Sequence, residues 1–401
     1  MEPAPRRRTR SGRTFVREPE HSTDHGDRVT LRALHVYSGN LYGGVERLLA
    51  TLASYHDGEA GLEQAFALCF PGRASEEIAA AGARLDLLGP VRLSRPWTVA
   101  RARRRLAAVL ETARPDVVVC HSTWVHGLFG GVARKRGIPL VFWLHDAVTG
   151  RTWADRVASR TRPDLALCTS RFAAGTLPRL WEVPSEVVYY PVPRPDPGPV
   201  DRASLRARLQ TPSDGVVILQ ASRMEPWKGQ RLLVEGLARL RDVPGWTCWL
   251  AGGAQRPHEE AHLAEIYALA QARGIADRIR FLGQRGDVPA LMAAADVFCQ
   301  PNLGPEPFGI VFVEAMHAGL PIVATAIGGA REIVDPSCGL LVPPEDPAAL
   351  ADALRRVAGD AAMRAELGAA GPAQARALCD PPRQIGRLRD AFADAIRRAG
   401  R

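Results

Sequence analysis

Apolar and polar positions follow one another in blocks along the chain. From Leu31 onward, short β-rich apolar runs are separated by longer segments with helical periodicity. The apolar runs are LRALHVY, QAFALCF, PDVVVCH, PLVFWLH, DLALCTS, DGVVILQAS, WTCWLAGG, IRFLG, DVFCQP, PIVATAIGG and CGLLVPP. Because these runs are nearly continuous rather than alternating, they are typical of parallel strands covered on both faces. The β-α-β order predicts an α/β protein with doubly wound sheets.

One proline-rich segment, YYPVPRPDPGPVD at residues 189–201, interrupts this order and cannot form a central strand or helix. We therefore predict two similar α/β domains joined by a hinge, with a ligand cleft between them at the carboxyl ends of strands. The predicted boundaries are a disordered basic tail at 1–28, an N-terminal domain at 29–190, the hinge at 191–201, a C-terminal domain at 202–380 and a closing helix at 381–401.

Composition narrows the class of protein. The length of 401 residues fits two domains. No apolar run approaches the roughly 18–20 residues that cross a bilayer, and the tail lacks the apolar stretch of a secretory signal. The seven cysteines are scattered without a CxxC pair, which predicts a cytoplasmic location and argues against metal knuckles and redox motifs.

The basic residues leave two interpretations open. The formal net charge of +9 fits a solvated arginine-rich surface, or the binding of anionic ligands and membranes. The segment WTVARARRRLAAVLETA, residues 97–113, predicts an amphipathic helix whose arginines face either solvent or anionic lipid at the inner membrane face. Nucleic acid is not predicted, because no stripe combines basic and aromatic residues. Only Lys135 and Lys228 among the 52 basic residues are lysine, which indicates places that need a compact ammonium group.

Three glycine-containing loops follow predicted strands, where doubly wound folds bind ligands. The loop SGNLYGGVERL lets backbone N–H groups approach an anion at a helix start. The loop SRMEPWKGQRLL places Arg223 and Lys228 before a helix, a pair of cations suited to a diphosphate. AIGGAREIV supplies Gly328 and Gly329 with Glu332 nearby. The alternative for each loop is an ordinary turn with incidental charges.

The segment EPFGIVFVE carries Glu306 and Glu314 at the two ends of an apolar run. The sequence predicts an irregular chain up to Phe308 and a helix from Gly309 to about Ala318. Glu306 then lies in a loop ahead of the helix, and Glu314 lies about two turns into it. Both carboxylates can accept hydrogen bonds from a polyhydroxylated ligand in the cleft. The alternative is a pair of surface glutamates beside a core helix.

Histidines supply further candidates. His145 follows a strand at the ligand-binding edge, although a structural role is the alternative, and His121 is a weaker candidate on the same ground. HEEAH, residues 258–262, matches the HExxH pattern of zinc proteases. It lies at the polar start of a helix and has no compelling third ligand downstream, so we predict no metal site. The first loop lacks the GxGxxG spacing, which argues against NAD.

In this order, GGVERLL, SRMEPWKG, EPFGIVFVEAM and AIGGAREIV resemble the motifs of the family-four retaining glycosyltransferases of GT-B fold, the glycogen-synthase-like group 1. The resemblance covers residues 30–395. It implies two Rossmann-like domains facing across a cleft, the first for an acceptor and the second for a nucleoside-diphosphate sugar. It also implies transfer of a hexose to an acceptor hydroxyl with retention of configuration. No DxD motif occurs, so a metal or other cofactor is not expected.

The resemblance also implies roles for individual residues. The implied catalytic residues are Glu306, His145, Arg223 and Lys228. The implied donor-binding residues are Gly44, Arg223, Lys228, Arg285, Glu306, Phe308, Gly309 and Glu314. Among these, the two cations hold the diphosphate, Glu314 binds the ribose and Glu306 faces the sugar. The acceptor stays open between a carbohydrate, a lipid and a small molecule, and the alternative to an enzyme is a non-catalytic nucleotide-sugar-binding protein.

Overall fold

The structure is a computed structural model that describes residues 30–39, 42–58, 61–254 and 256–400. The predicted tail lies outside the described residues, as do residues 40–41 of the SGNLYGGVERL loop. Two separate parallel sheets dominate the described chain, each flanked by helices. The predicted α/β architecture with two doubly wound domains is therefore confirmed.

The first sheet contains seven strands. They are Leu31–Tyr37 (β1), Leu62–Leu68 (β2), Arg84–Leu87 (β3), Val117–His121 (β4), Leu140–Leu144 (β5), Leu165–Cys168 (β6) and Ser185–Val187 (β7). Their order across the sheet is β3-β2-β1-β4-β5-β6-β7, with every pair parallel. The strand order reverses between β1 and β4, which makes a crevice at the carboxyl ends of these strands. The edge strands β3 and β7 were not predicted, because they are short and largely polar.

The second sheet contains six strands. They are Val216–Ala221 (β8), Trp246–Ala251 (β9), Ile279–Gly283 (β10), Val297–Gln300 (β11), Ile322–Thr325 (β12) and Gly339–Val342 (β13). Their order is β10-β9-β8-β11-β12-β13, again parallel throughout. All six coincide with predicted apolar runs. Strands β8 and β11 lie on either side of the second reversal of strand order, and the loops that follow them carry the candidate site.

Helices cover both sheets. In the first half of the chain they are Gly44–Ala53 (α1), Arg73–Ala80 (α2), Pro96–Ala113 (α3), Thr123–Val125 (α4), Gly131–Arg134 (α5), Trp153–Ala158 (α6) and Arg171–Ala174 (α7). In the second half they are Arg202–Arg208 (α8), Gln230–Ala238 (α9), Pro257–Ala272 (α10), Val288–Ala294 (α11), Ile310–His317 (α12), Ala330–Ile333 (α13), Pro347–Gly359 (α14), Ala361–Cys379 (α15) and Pro381–Ala399 (α16). Helix α12 begins one residue after the predicted position, with Gly309 as its N-cap in a left-handed conformation.

The chain crosses between the two sheets twice. On the first crossing, the Val192 N–H donates to the Cys379 carbonyl at 2.9 Å, next to the point where the chain returns in helix α16. Helix α16 packs on the first sheet, where the Phe392 ring lies 6.2 Å from the His35 ring. Arg387 Nη2 also donates to the Val187 carbonyl at 2.7 Å. The predicted closing helix thus ties the C-terminus to the N-terminal sheet, while the predicted domain boundaries stay predictions.

Helix α3 has the predicted amphipathic form. Its buried residues are Ala102, Leu106, Val109 and Leu110, and its arginines are exposed. In the described part of the chain, no helix is both long and apolar enough to cross a membrane. The cytoplasmic location and the contact of α3 with anionic lipid stay predictions.

Candidate active site

The loop between β8 and α9 fixes two cations and an indole ring. Glu225 Oε1 pairs with Arg223 Nη1 at 2.9 Å, and Glu225 Oε2 accepts a hydrogen bond from Trp227 Nε1 at 2.5 Å. The Lys228 ammonium lies 3.9 Å from the centre of the Trp227 ring, as in a cation–π contact. One carboxylate therefore orients both the arginine and the aromatic platform beneath the lysine.

The two motifs of the second domain meet at Lys228 and Glu306. Lys228 Nζ lies 2.5 Å from Glu306 Oε2, and both side chains are largely buried. Asn302 Nδ2 donates to the same carboxylate oxygen at 3.3 Å. The amides of Gln220 and Gln300 both donate to the Lys228 carbonyl, at 2.8 and 3.0 Å. The two amides therefore fix the Lys228 backbone, while Lys228 and Asn302 fix the Glu306 carboxylate.

Glycines let the loops around Glu306 approach closely. The Gly329 N–H donates to the Glu306 carbonyl at 2.7 Å, and a Cβ at Gly329 would lie 2.6 Å from the Phe308 carbonyl oxygen. Gly229 has a φ of 75°, and a Cβ there would overlap the Pro301 carbonyl. The glycine pair of AIGGAREIV therefore supports the EPFG loop by direct backbone contact.

The charges of the second domain act on carboxylates of the first. Desolvation raises the pKa of Asp146, the charge of Glu306 raises it further, and the charge of Arg223 lowers it. Burial likewise raises the pKa of Glu46, while hydrogen bonds to its carboxylate and the charge of Arg223 lower it. These groups follow strands β5, β8 and β11 or lie on helix α1, so they line one cleft between the two sheets.

Glu314 makes a second contact across the cleft. Its carboxylate, on helix α12, forms an ion pair with Arg47 on helix α1. Burial raises the pKa of Glu314, and the guanidinium of Arg47 lowers it in part. The Glu314 side chain is 5% exposed, whereas that of Arg47 is 46% exposed. The carboxylate is therefore fixed in the protein, while its cationic partner remains open to solvent.

Glu332 joins the domains beside the cleft. Its carboxylate accepts hydrogen bonds from the Arg171 N–H at 2.9 Å and the Phe172 N–H at 2.8 Å, at the first turn of α7. The Tyr189 hydroxyl donates to the same carboxylate at 3.1 Å. A carboxylate is favourable at the amino end of a helix. Glu332, which the sequence placed near the glycine pair, therefore links the two domains.

Three buried histidines and a tyrosine form a hydrogen-bonded chain behind the cleft. His35 Nδ1 lies 2.9 Å from His121 Nε2, and His121 Nδ1 lies 2.8 Å from His145 Nε2. His145 Nδ1 lies 2.6 Å from the Tyr190 hydroxyl. Both ring nitrogens of His145 are thus used within the protein. The predicted catalytic role of His145 stays a prediction, and in this arrangement it has no free ring nitrogen to offer a sugar.

Gln64 lies beside the far end of this chain. Its Nε2 donates to the carbonyls of Leu52 and Tyr55 at 3.0 and 2.9 Å. Among the described residues, neither the Gln64 side-chain oxygen nor His35 Nε2 has a hydrogen-bond partner. The chain of hydrogen bonds therefore begins at His35 Nδ1 and ends at the Tyr190 hydroxyl.

These histidines make the fold sensitive to acid. Burial lowers the pKa of His35 and His145 to about 3 and that of His126 to about 4. The unfolded chain binds these protons near pH 6.5, so it holds more protons than the folded state at mildly acidic pH. We expect the free energy of unfolding to fall by about 1 kcal/mol per buried histidine over the first pH unit below 6.5. Urea unfolding measured across this range checks the slope.

Two glutamine variants provide the comparison. His126→Gln removes a buried titrating group and should therefore flatten the dependence of stability on pH. The variant should still fold, because an amide donor can replace the contact of His126 Nε2 with the Thr161 carbonyl at 2.7 Å. His258→Gln removes an exposed histidine and should leave the dependence unchanged. Equal slopes in the wild-type protein and both variants would contradict the expectation.

Two predicted features lie apart from the Lys228 cluster. Arg285 forms a bidentate pair with Asp287, at 2.8 and 2.6 Å, in the loop after β10. His262 of the HEEAH segment lies 3.3 Å from the Gln230 side chain. Within the described residues, no group of three His, Cys, Asp or Glu side chains comes together as a metal site would require. Independence from metal stays a prediction.

Comparison with known proteins identifies the family. A sequence profile of glycosyl transferases group 1 matches residues 201–374, and a profile of glycosyltransferase family 4 matches residues 42–193. A D-inositol 3-phosphate glycosyltransferase of Nocardioides sp. is 32% identical over 308 residues, which cover 69% of this chain and 67% of that protein. The chain belongs to the group 1 glycosyltransferases. The family predicted from the four motifs is therefore confirmed.

This group 1 glycosyltransferase has further relatives. A phosphatidyl-myo-inositol mannosyltransferase of Mycobacterium leprae is 34% identical over 261 residues, which cover 64% of this chain and 67% of that protein. Among solved structures, Anabaena HepE in complex with UDP and glucose has a TM-score of 0.77 at 24% identity, over 90% of this chain and 99% of that one. Sucrose-phosphate synthase of Thermosynechococcus elongatus has a TM-score of 0.73 at 23% identity, over 90% and 99%. The GT-B fold is confirmed by these likenesses.

The fold of this glycosyltransferase brings together part of the predicted donor set. Lys228 and Glu306 are in direct contact, and the Phe308 ring packs 4.8 Å from the Tyr190 ring at the hinge. A Cβ on Gly44 would lie 3.7 Å from Ile310, so the start of α1 faces the start of α12. The binding roles of these residues stay predictions.

Sequence reasoning missed four residues of this glycosyltransferase cleft. They are Glu225, Asn302, Arg47 and Glu46. Glu225 lies between the two predicted cations, and Arg47 and Glu46 lie inside the GGVERLL motif, so their positions carried a usable signal. Asn302 carried none, because an asparagine before a turn is common in any loop.

Proposed function

We propose that this glycosyltransferase moves a hexose from a nucleoside-diphosphate sugar to an acceptor hydroxyl. The observation that supports it best is the contact of Lys228 Nζ with Glu306 Oε2 at 2.5 Å, with Arg223 held nearby by Glu225. This arrangement offers cations to a diphosphate and a carboxylate to sugar hydroxyls in one cleft. In this proposal Lys228 exchanges part of its bond to Glu306 for the phosphate oxygens.

The chemistry follows from where charge develops. As the bond between sugar and diphosphate breaks, the leaving group gains negative charge and the sugar becomes cation-like. Arg223 and Lys228 stabilise the negative charge of the leaving diphosphate, and Glu306 lies beside the cation-like sugar. Because Glu225 and Trp227 already fix the cations, little reorganisation is needed at the moment of reaction. We propose that this stabilisation works without a metal.

The remaining groups divide between donor and acceptor. Glu314, held beside Arg47, accepts hydrogen bonds from the ribose of the donor, and the loop that carries Arg285 binds the base. The acceptor enters from the first domain, past Asp146 and Glu46. The names of two relatives mention inositol phosphate and phosphatidyl-myo-inositol, so a polyol hydroxyl is the acceptor class that we propose.

We further propose that the configuration at the sugar is retained. No protein carboxylate is assigned as a nucleophile, because Glu306 is engaged by Lys228 and Asn302. The acceptor then attacks from the same face from which the diphosphate leaves, and a phosphate oxygen takes the hydroxyl proton. Trapping of a covalent glycosyl-enzyme would contradict this mechanism.

A thermal-shift screen with UDP, GDP, ADP and their sugars tests the donor assignment. At a concentration of about 100 Kd, a ligand that binds only the folded state adds about 2.7 kcal/mol to its stability, so one nucleotide series should raise the melting temperature by several degrees. The shift should persist in EDTA and be lost in Lys228→Ala. If no nucleotide raises the melting temperature, the proposed donor class is wrong, and if one does but donor hydrolysis and transfer are absent, the protein is a binding protein only.

A further inference from the structure

A second basic cavity lies at the opposite edge of the first sheet from the cleft. It is a groove open to solvent with a volume of about 740 Å³, large enough to take a small molecule. It is lined by the turn before β6, the turn before β7, the end of α5 and the last turn of α16. The cleft lies at the carboxyl ends of parallel strands and this cavity at their amino ends, so roughly 15 Å of strand separates them.

Five cationic side chains and one carboxylate line this cavity. The cations are Arg134, Lys135, Arg160, Arg162 and Arg398, and the carboxylate is Asp164. Two cations are held in place by acids: Arg134 pairs with Asp164 at 2.9 Å, and Arg398 pairs with Asp394 on its own helix. The cavity therefore combines a fixed rim of arginines with an excess of positive charge.

Among the residues that the structure describes, three of the cations have no acidic partner. In the described part of the chain, no ion pair involves Lys135, Arg160 or Arg162, and Arg162 donates only to the Glu182 carbonyl, at 2.6 Å. These three exposed cations line one groove and so raise the positive potential there, which favours the binding of an anion. The Thr161 hydroxyl lies on the same wall and can add a neutral donor.

The scarcity of lysine in the chain also supports an anion site in this cavity. The chain contains 52 basic residues, of which only Lys135 and Lys228 are lysine. Lys228 stands with Arg223 in the proposed diphosphate site, and Lys135 stands with Arg160 in this cavity. A compact ammonium beside planar guanidinium groups is suited to a phosphate group, which accepts bonds from both.

We propose that this cavity is a second anion site, which binds a phosphate ester or diphosphate with two or more negative charges. The volume exceeds that of one phosphate, so the ligand carries an organic part or a second phosphate. A phosphorylated small molecule and a phospholipid headgroup share this chemistry. The site does not depend on the donor assignment, because none of its lining residues belongs to the cleft.

Isothermal titration with inorganic pyrophosphate tests the site in the full-length chain. The double variant Lys135→Gln/Arg160→Gln should bind pyrophosphate at least about tenfold more weakly at this site, since each hydrogen bond to a charged group contributes substantially to affinity. The matched control Arg241→Gln/Arg273→Gln removes the same charge from exposed positions of the second domain and should bind as the wild-type protein does. Lys228→Ala should retain the cavity's binding while losing that of the cleft.

A second arm separates the two sources of phosphate. Vesicles of phosphatidylcholine with and without phosphatidylinositol are sedimented with the wild-type protein and both double variants. Binding to the anionic vesicles alone that is lost only in Lys135→Gln/Arg160→Gln assigns the site to a lipid headgroup. Pyrophosphate binding lost in the same variant assigns it to a soluble phosphate. The proposal is overturned if neither probe binds, if both double variants bind equally, or if Lys228→Ala alone removes all pyrophosphate binding.

Discussion

Replacing Lys228 by alanine is expected to slow sugar transfer by about 10²–10³-fold while the protein stays folded. The variant removes the ammonium that lies 2.5 Å from Glu306 and above the Trp227 ring. Loss of one group that stabilises developing charge costs about 10²–10³ in kcat. The free energy of unfolding should fall by only about 1–3 kcal/mol, because the Glu306 carboxylate keeps its hydrogen bond from Asn302. Initial rates with the donor found in the thermal-shift screen, together with circular-dichroism melting, separate the two effects.

Arg231→Ala is the matched control for this variant. Arg231 lies three residues further along, on the outer face of α9, with a side chain that is 64% exposed and paired with Glu235. Removing it deletes the same charge near the same loop and should change neither the rate nor the stability appreciably. If Lys228→Ala retains near-normal turnover, the assignment of the diphosphate to this lysine is wrong.

Replacing Gly328 by alanine is expected to lower the rate by about 100-fold, because a displacement of about 1 Å at a reacting group has that cost. Gly328 has a φ of 62°, and a Cβ there would lie 2.8 Å from the Glu306 backbone nitrogen. The added methyl group must therefore displace the backbone of Glu306, whose carboxylate contacts Lys228. The strained backbone should also lower the stability by about 1–3 kcal/mol.

Gly386→Ala provides the comparison for a methyl group that meets nothing. Gly386 lies within α16, and within the described residues no atom beyond its own helix backbone and chain neighbours comes within 4 Å of a Cβ at this position. Alanine there should leave the rate unchanged and raise the stability by up to about 1 kcal/mol, as in other helices. A Gly328→Ala enzyme that is as active as Gly386→Ala would show that the AIGG loop does not position Glu306.

Particular strands and helices show which elements could be predicted from the sequence and which could not. All six strands of the second sheet were predicted, because buried parallel strands leave continuous apolar runs. Strand β3, with the sequence RLDL, was missed because an edge strand is partly solvated and need not be apolar. Helix α12 was placed to within one residue because Gly309 supplies the left-handed N-cap and Gly319-Leu320-Pro321 ends it.

By itself, the sequence determined the local features of this protein: the parallel strands, the loops that carry Arg223, Lys228 and Glu306, and the family that those motifs define. These features depend on residues close together in the chain, where periodicity and turn chemistry act. Only the tertiary structure decided which distant side chains contact one another. It joins Glu314 to Arg47 across the cleft, gathers Lys135 with arginines from three segments, and occupies both nitrogens of His145. Such contacts join residues far apart in sequence, so they are fixed by how the two sheets and their helices pack.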